Sequence, residues 1–159
     1  MSGLIQIITG ALGTLGFATL FHLRGKKMLL SGLGGFLSWG IFLILEPLFA
    51  SEATRYLLSA AVITVYSEIL ARLMRTPTTT FLVPSCIPLI PGGALYYTMN
   101  YALNKQWSQF AHQAFYTLQL ALSLAVGIIA VTTVVRLITS IITKQKAKHP
   151  AHHYHHIGK

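Results

Sequence analysis

Long apolar runs, each close to the ~20 residues a helix needs to cross a bilayer, alternate in this chain with short basic clusters. Leu4 to Leu23, Met28 to Phe49 and Tyr56 to Met74 are three such runs, and another starts near His112 and continues to about Ile142. Only 9% of the 159 residues are charged, against roughly 25% in an ordinary soluble domain. That gap predicts an all-α integral membrane protein. The net charge of +9 would suggest nucleic acid in a soluble chain. Here the cations stand at the ends of apolar runs, which membrane topology explains better, so no nucleic-acid partner is expected.

Between the third run and the last lies Phe81 to Leu103, apolar but interrupted. Its centre, Pro84 to Asn100, reads PSCIPLIPGGALYYTMN. Proline lacks the backbone N–H and clashes with the preceding turn, so Pro88 and Pro91 must break a helix. Gly92 and Gly93 add a step without Cβ atoms directly afterwards. A broken segment at membrane depth must be buried in protein or line a cavity. Discontinuous helices of this kind form the substrate sites of many secondary transporters. Counting this segment gives about five transmembrane helices, one of them broken by a Pro/Gly-rich stretch.

The positive-inside rule then orients the chain. Arg24, Lys26 and Lys27, then Arg72 and Arg75, then Lys144, Lys146 and Lys148 fall on one side; only Arg55 and Lys105, with Glu52, fall on the other. The pattern predicts an N-terminus outside and a C-terminus in the cytoplasm, provided the broken segment crosses fully rather than re-entering. No cleavable signal is evident, since the first span begins almost at Met1 without a basic leader. Residues 1–143 read as the transmembrane domain and 144–159 as a basic, His-rich cytoplasmic tail that touches membrane lipid through its lysines. Clustered His149, His152, His153, His155 and His156 suit a transition metal. Without a thiolate or carboxylate partner, a disordered tail is the preferred reading and no metal is assigned.

Within the spans, Gly10, Gly13 and Gly16 recur every three residues, as in a close-packing helix face. Ser31, Gly32, Gly34, Gly35, Ser38 and Gly40 predict a second tightly packed face. His22 reads as an interfacial residue, Trp39 falls mid-span, and Cys86 reads as a small packing residue with no disulfide partner. Glu46-Pro47 ends the regular helix, and Glu52 and Arg55 lie across a short loop from it. Glu68 and Arg72 are spaced i, i+4 in the favourable order for an ion pair. An intramembrane carboxylate is also a functional candidate because its burial is costly, so the pair is read as either structural or ion-coupling. The chain has only three acids and no Asp. With no phosphate-binding loop, nucleophile elbow or zinc-protease motif, no catalytic residue and no cofactor are predicted.

The run Ser67 to Met99, SEILARLMRTPTTTFLVPSCIPLIPGGALYYTM, closely resembles the short, C-terminal-type membrane subunit of the threonine/serine exporter family. Its core is IPLIPGG, Ile87 to Gly93, followed by Tyr96-Tyr97. Ser85 departs from the glycine expected there. The resemblance implies a secondary exporter in the bacterial cell membrane, moving amino acids such as threonine and serine or, as in related two-subunit members, a dicarboxylate such as succinate. It also implies a longer partner subunit of the same family, or a homo-oligomer.

The candidate substrate site follows from the break. A helix that starts after Gly92-Gly93 points free N–H groups and its positive dipole end into the membrane, near the midplane when counted back from Lys105 along an upright helix. Backbone donors there can hold an anionic group without a buried cation. Gly92 and Gly93 allow close approach, Pro88 and Pro91 hold the break open, and Ser85, Tyr96, Tyr97 and Asn100 supply polar contacts. A proline kink used only for packing is the competing reading. At the level of function, the competitors are a non-transporting membrane assembly or scaffold protein and, more weakly, a membrane-embedded enzyme.

Overall fold

The computed structural model describes residues 3–148, so the histidine cluster of the tail lies outside the described residues. The elements are α1 (Gly3–Leu20), α2 (Lys26–Ile44), α3 (Glu52–Met74), α4 (Thr79–Cys86), a single 3-10 turn (Ile87–Leu89), α5 (Gly92–Leu103) and α6 (Trp107–Lys148). Strands are absent among the described residues. The chain is an all-α integral membrane protein: α1, α2, α3 and α6 are each long and apolar enough to cross a bilayer, and α4 with its 3-10 turn and α5 form a pair bent by 57°.

Three of the short connections turn on a basic residue in the left-handed region: His22, Arg75 and Lys105. Thr76 N–H reaches back to Ala71 O at 3.0 Å, and Gln106 N–H to Tyr101 O at 2.9 Å. These six-to-one bonds close the ends of α3 and α5 and satisfy carbonyls left over by the helical ladder. Two boundaries differ from expectation. Helix α3 opens at Glu52, ahead of the apolar run that begins at Tyr56, and α6 starts at Trp107 and continues through Lys148 as one helix.

Side-chain pairs fix the relative directions. Gly32 meets Leu15 and Gly10 meets Trp39, so α1 and α2 are antiparallel. Tyr66 donates to Leu30 O at 2.8 Å and Phe42 meets Tyr56 edge to face at 4.9 Å, so α2 and α3 are antiparallel too. Helices α3 and α6 behave differently. Glu52 meets Tyr116, Leu57 and Ala60 meet Gly127, and Arg72 meets Thr139. Both sets of numbers rise together, so α3 and α6 are parallel. The chain must therefore return to the N-terminal end of α3 before α6 begins. The α4–α5 segment makes that return, which is a crossing and not a re-entrant loop.

Close approach is concentrated where the second glycine set predicts it. A Cβ on Gly32 would stand 2.5 Å from Leu15, one on Gly34 would collide with Ser85, and one on Gly35 with Thr14. The first glycine set behaves otherwise: Gly10 abuts Pro88, but a Cβ on Gly13 or Gly16 would meet nothing within 4 Å among the described residues. Packing among the described residues therefore does not account for glycine at those two positions. The core joins Phe42, Tyr56, Ile63, Leu82, Cys86, Leu89 and Leu120, so the broken segment is built into it from both α4 and the 3-10 turn. Leu12, Leu29, Leu118 and Ile129 are among many large apolar residues left more than half exposed. That is how a membrane helix presents itself to lipid.

Candidate substrate cavity at the helix break

Each element of the break has a local cause. Pro84 removes the N–H that would bond Thr80 and crowds that carbonyl, and α4 ends two residues later at Cys86. Ile90 is extended, φ −67° and ψ 124°, as the residue before a proline tends to be. Pro91 follows at φ −74°, ψ 58°, and Gly92 N–H bonds Ile90 O at 2.7 Å. That combination is an inverse γ-turn centred on Pro91. Leu95 N–H takes Pro91 O at 3.0 Å as the first bond of α5. Gly93 and Ala94 are left with N–H groups outside both the turn and the helical ladder, and no side chain caps this end.

Those groups open on a cavity of about 370 Å³ whose walls come from α2, α3, the break, α5 and α6. Its polar wall consists of Glu52, Tyr56, Tyr97, Gln113 and Tyr116 beside Gly92, Gly93 and Ala94. The Tyr116 hydroxyl donates to Glu52 Oε2. Gln113 Nε2 donates to Ala94 O at 3.5 Å, and the Thr98 and Thr117 hydroxyls meet at 3.0 Å, so α6 grips the first turns of α5. Trp39 closes the apolar side. Its ring stacks on Phe42 at 4.9 Å, and its Nε1–H donates to Gln6 Oε1 at 3.3 Å.

The residues singled out from sequence fall into two groups. Pro91, Gly92, Gly93 and Tyr97 line the cavity. Ser85 does not: it is fully buried against α2, with its hydroxyl 3.4 Å from Ser31 O. Pro88 packs on Gly10 of α1. Tyr96 lies on another stripe of α5, exposed and in edge contact with Tyr97 at 5.5 Å, and Asn100 accepts from Asn104 Nδ2 at 3.1 Å. Glu68 and Arg72 pair at 3.2 Å, but toward the other end of α3. The break is bent by 57°, and the cavity beside it takes Glu52 and Tyr56 from the first turns of α3.

Glu52, Tyr56, Gln113 and Tyr116 were not legible as site residues. Their common signal is weak: one of three acids in the chain, and polar side chains one helical turn apart at the start of α3 and of α6.

Glycine chemistry separates this place from the packed seams. A Cβ on Gly92 or Gly93 would meet nothing within 4 Å, and neither residue has a positive φ. At Gly127, by contrast, a Cβ would stand 2.5 Å from Leu57 O. Neither backbone nor packing demands glycine at the break; what its absence of side chain leaves open is the cavity.

A multi-pass helical bundle with one discontinuous span, and a polar cavity at the discontinuity, is an arrangement that many secondary transporters use at their substrate sites. Residues 6–134 match the family model described as Threonine/Serine exporter, ThrE, and the chain belongs to that family. It is a transporter of the threonine/serine exporter type. No curated protein and no solved structure matches the chain.

Proposed function

We propose that this chain is the membrane subunit of a secondary exporter for small hydroxylated amino acids, and that the cavity at the break holds the substrate. The observation that carries this reading is the pairing of opposite requirements across one cavity. The free N–H groups of Gly93 and Ala94 suit a carboxylate, and the Glu52 carboxylate opposite suits an ammonium group. A zwitterionic α-amino acid satisfies both, with Tyr97 and Gln113 available to its side-chain hydroxyl. The volume of 370 Å³ equals that of about a dozen waters, enough for a threonine-sized solute with part of its hydration. A dicarboxylate would place its second carboxylate against Glu52, so it fits less well.

The cell-membrane location, with the N-terminus outside and the C-terminus in the cytoplasm, rests on the basic-loop pattern. The proposed partner is a longer subunit of the same family or a second copy of this chain. The open Gly13 and Gly16 face of α1 supports such a contact.

The test is a series at Gly93 in cells loaded with L-threonine, measuring export and membrane assembly together. Because a Cβ there meets no protein atom, Gly93→Ala and Gly93→Val should insert and assemble normally. Export should fall stepwise, by about tenfold or more for valine, as the donors are screened from substrate. Loss of assembly in step with loss of export would support the packing-kink and scaffold reading instead. Intact export in Gly93→Val would remove the site.

A further inference from the structure

A second polar cavity, of about 820 Å³, lies at the opposite end of the α3–α6 seam, where the N-terminal turn of α4 closes it. It opens toward the basic connection that holds Arg75, the side assigned above to the cytoplasm. Its charged residues are Glu68, Arg72 and Arg136, and Thr78, Thr132 and Thr139 add hydroxyls. Arg72 is committed: its guanidinium holds Glu68 Oε2 at 3.2 Å, Glu68 O at 3.1 Å and Thr139 Oγ1 at 3.4 Å. One charge and one carboxylate oxygen are left over. Arg136 has no hydrogen-bond or ion-pair partner among the described residues, and Glu68 Oε1 has no donor among them, although the Glu68 side chain is only 13% exposed.

We propose that this cavity is the entry site, where an amino acid from the cytoplasm docks before it reaches the break. Its carboxylate binds the Arg136 guanidinium, a fork geometry matched to carboxylate, and its ammonium group binds the free oxygen of Glu68. Arg72 holds Glu68 in place and is a positioning residue. The inference rests on the exporter reading and adds a second site to it. Physical separation makes it a distinct site: Leu82 on this cavity and Leu120 on the other belong to one core cluster, and the Gly127 contact with Leu57 and Ala60 closes the seam between them. A solute crossing the protein must then be bound on one side of that plug before it is bound on the other.

The site can be read directly by thiol protection in inverted membrane vesicles from cells expressing the full chain. Native Cys86 is buried and gives a silent background to a membrane-impermeant thiol reagent. Thr132→Cys, labelled in the inverted vesicles, reports the entry cavity, and Gln113→Cys, labelled from the outer face of intact cells, reports the cavity at the break; Ser140→Cys replaces the first probe if Thr132→Cys fails to insert. L-threonine at about ten times its Kd should slow labelling of the entry probe about tenfold. Arg136→Gln should abolish that protection and raise the apparent KM for export about tenfold while kcat holds, and Arg136→Lys should restore part of both. Protection at Gln113→Cys without protection at the entry probe would overturn the entry site and leave the exporter reading standing. Protection at neither probe would remove both. Unchanged protection in Arg136→Gln would overturn the assignment of Arg136. Labelling that responds to anionic lipid content and not to L-threonine would make Arg136 a lipid contact and end the proposal.

Discussion

Glu52 and Tyr116 stand 64 positions apart in sequence and share one hydrogen bond at the cavity wall. Each explains the other's position. The tyrosine hydroxyl gives the carboxylate a donor that water would otherwise supply, and burying a carboxylate without a donor is costly. The bond occupies Oε2, which leaves Oε1 for the ammonium group of the proposed substrate. Glu52→Gln keeps the shape and removes the charge. We expect it to raise the KM for L-threonine export about tenfold or more, the size of a lost charge-assisted hydrogen bond, with Glu52→Asp recovering part of the loss. Export kinetics over a range of intracellular L-threonine would check this. Equal export by Glu52→Gln and the parent would detach Glu52 from substrate. Tyr116→Phe should show a smaller effect in the same direction, because it leaves the charge in place.

At the scale of elements, the α3–α6 seam is the rigid part of the bundle. Gly127 lets the two helices approach until backbone nearly meets backbone: an added Cβ would stand 2.5 Å from Leu57 O and 3.0 Å from the Ala60 Cβ. A backbone carbonyl cannot rotate aside as a side chain can. Gly127→Ala should therefore destabilise the folded protein by about 1–3 kcal/mol, the usual cost of overpacking, and Gly127→Leu should prevent assembly. Gly92 and Gly93 invert this pattern, since substitution there costs the fold little. Thermal unfolding in detergent, compared between Gly127→Ala and Gly93→Ala, measures the difference. Similar stability losses at both positions would erase the distinction between a packing glycine and a cavity glycine. The α4–α5 element is the complement of that seam, with α4 and the 3-10 turn in the core through Leu82, Cys86 and Leu89 and the N–H groups of Gly93 and Ala94 left outside the helical ladder.

At the scale of the whole molecule, parallel α3 and α6 require a crossing between them, and the bent α4–α5 segment supplies it. Basic loops then alternate with loops poor in Lys and Arg along the chain. Reporter fusions at Lys105 and at Lys148 should fall on opposite sides of the membrane, with Lys148 cytoplasmic. Both on the same side would contradict the five-crossing arrangement. The odd number of crossings also means that two such halves joined in tandem would be inverted with respect to each other, the arrangement of inverted-repeat transporters.

The sequence by itself determined the apolar runs, their lengths, the break at Pro88 to Gly93 and the basic clusters at the ends of the runs. Each of these follows from backbone chemistry or from the bilayer's thickness, and both act locally on a few consecutive residues. It also showed the tight face at Gly32, Gly34 and Gly35, because small residues are the means by which helices approach in lipid. Only the tertiary structure decided which residues share a cavity. Tyr116 and Glu52 meet because α6 runs parallel to α3, and no local pattern carries the direction of a helix relative to one 64 residues away. Ser85 turns inward against Ser31, and Tyr96 turns away from the cavity. A helix's rotation is fixed by what packs against it, and the sequence of the break alone does not contain its neighbours.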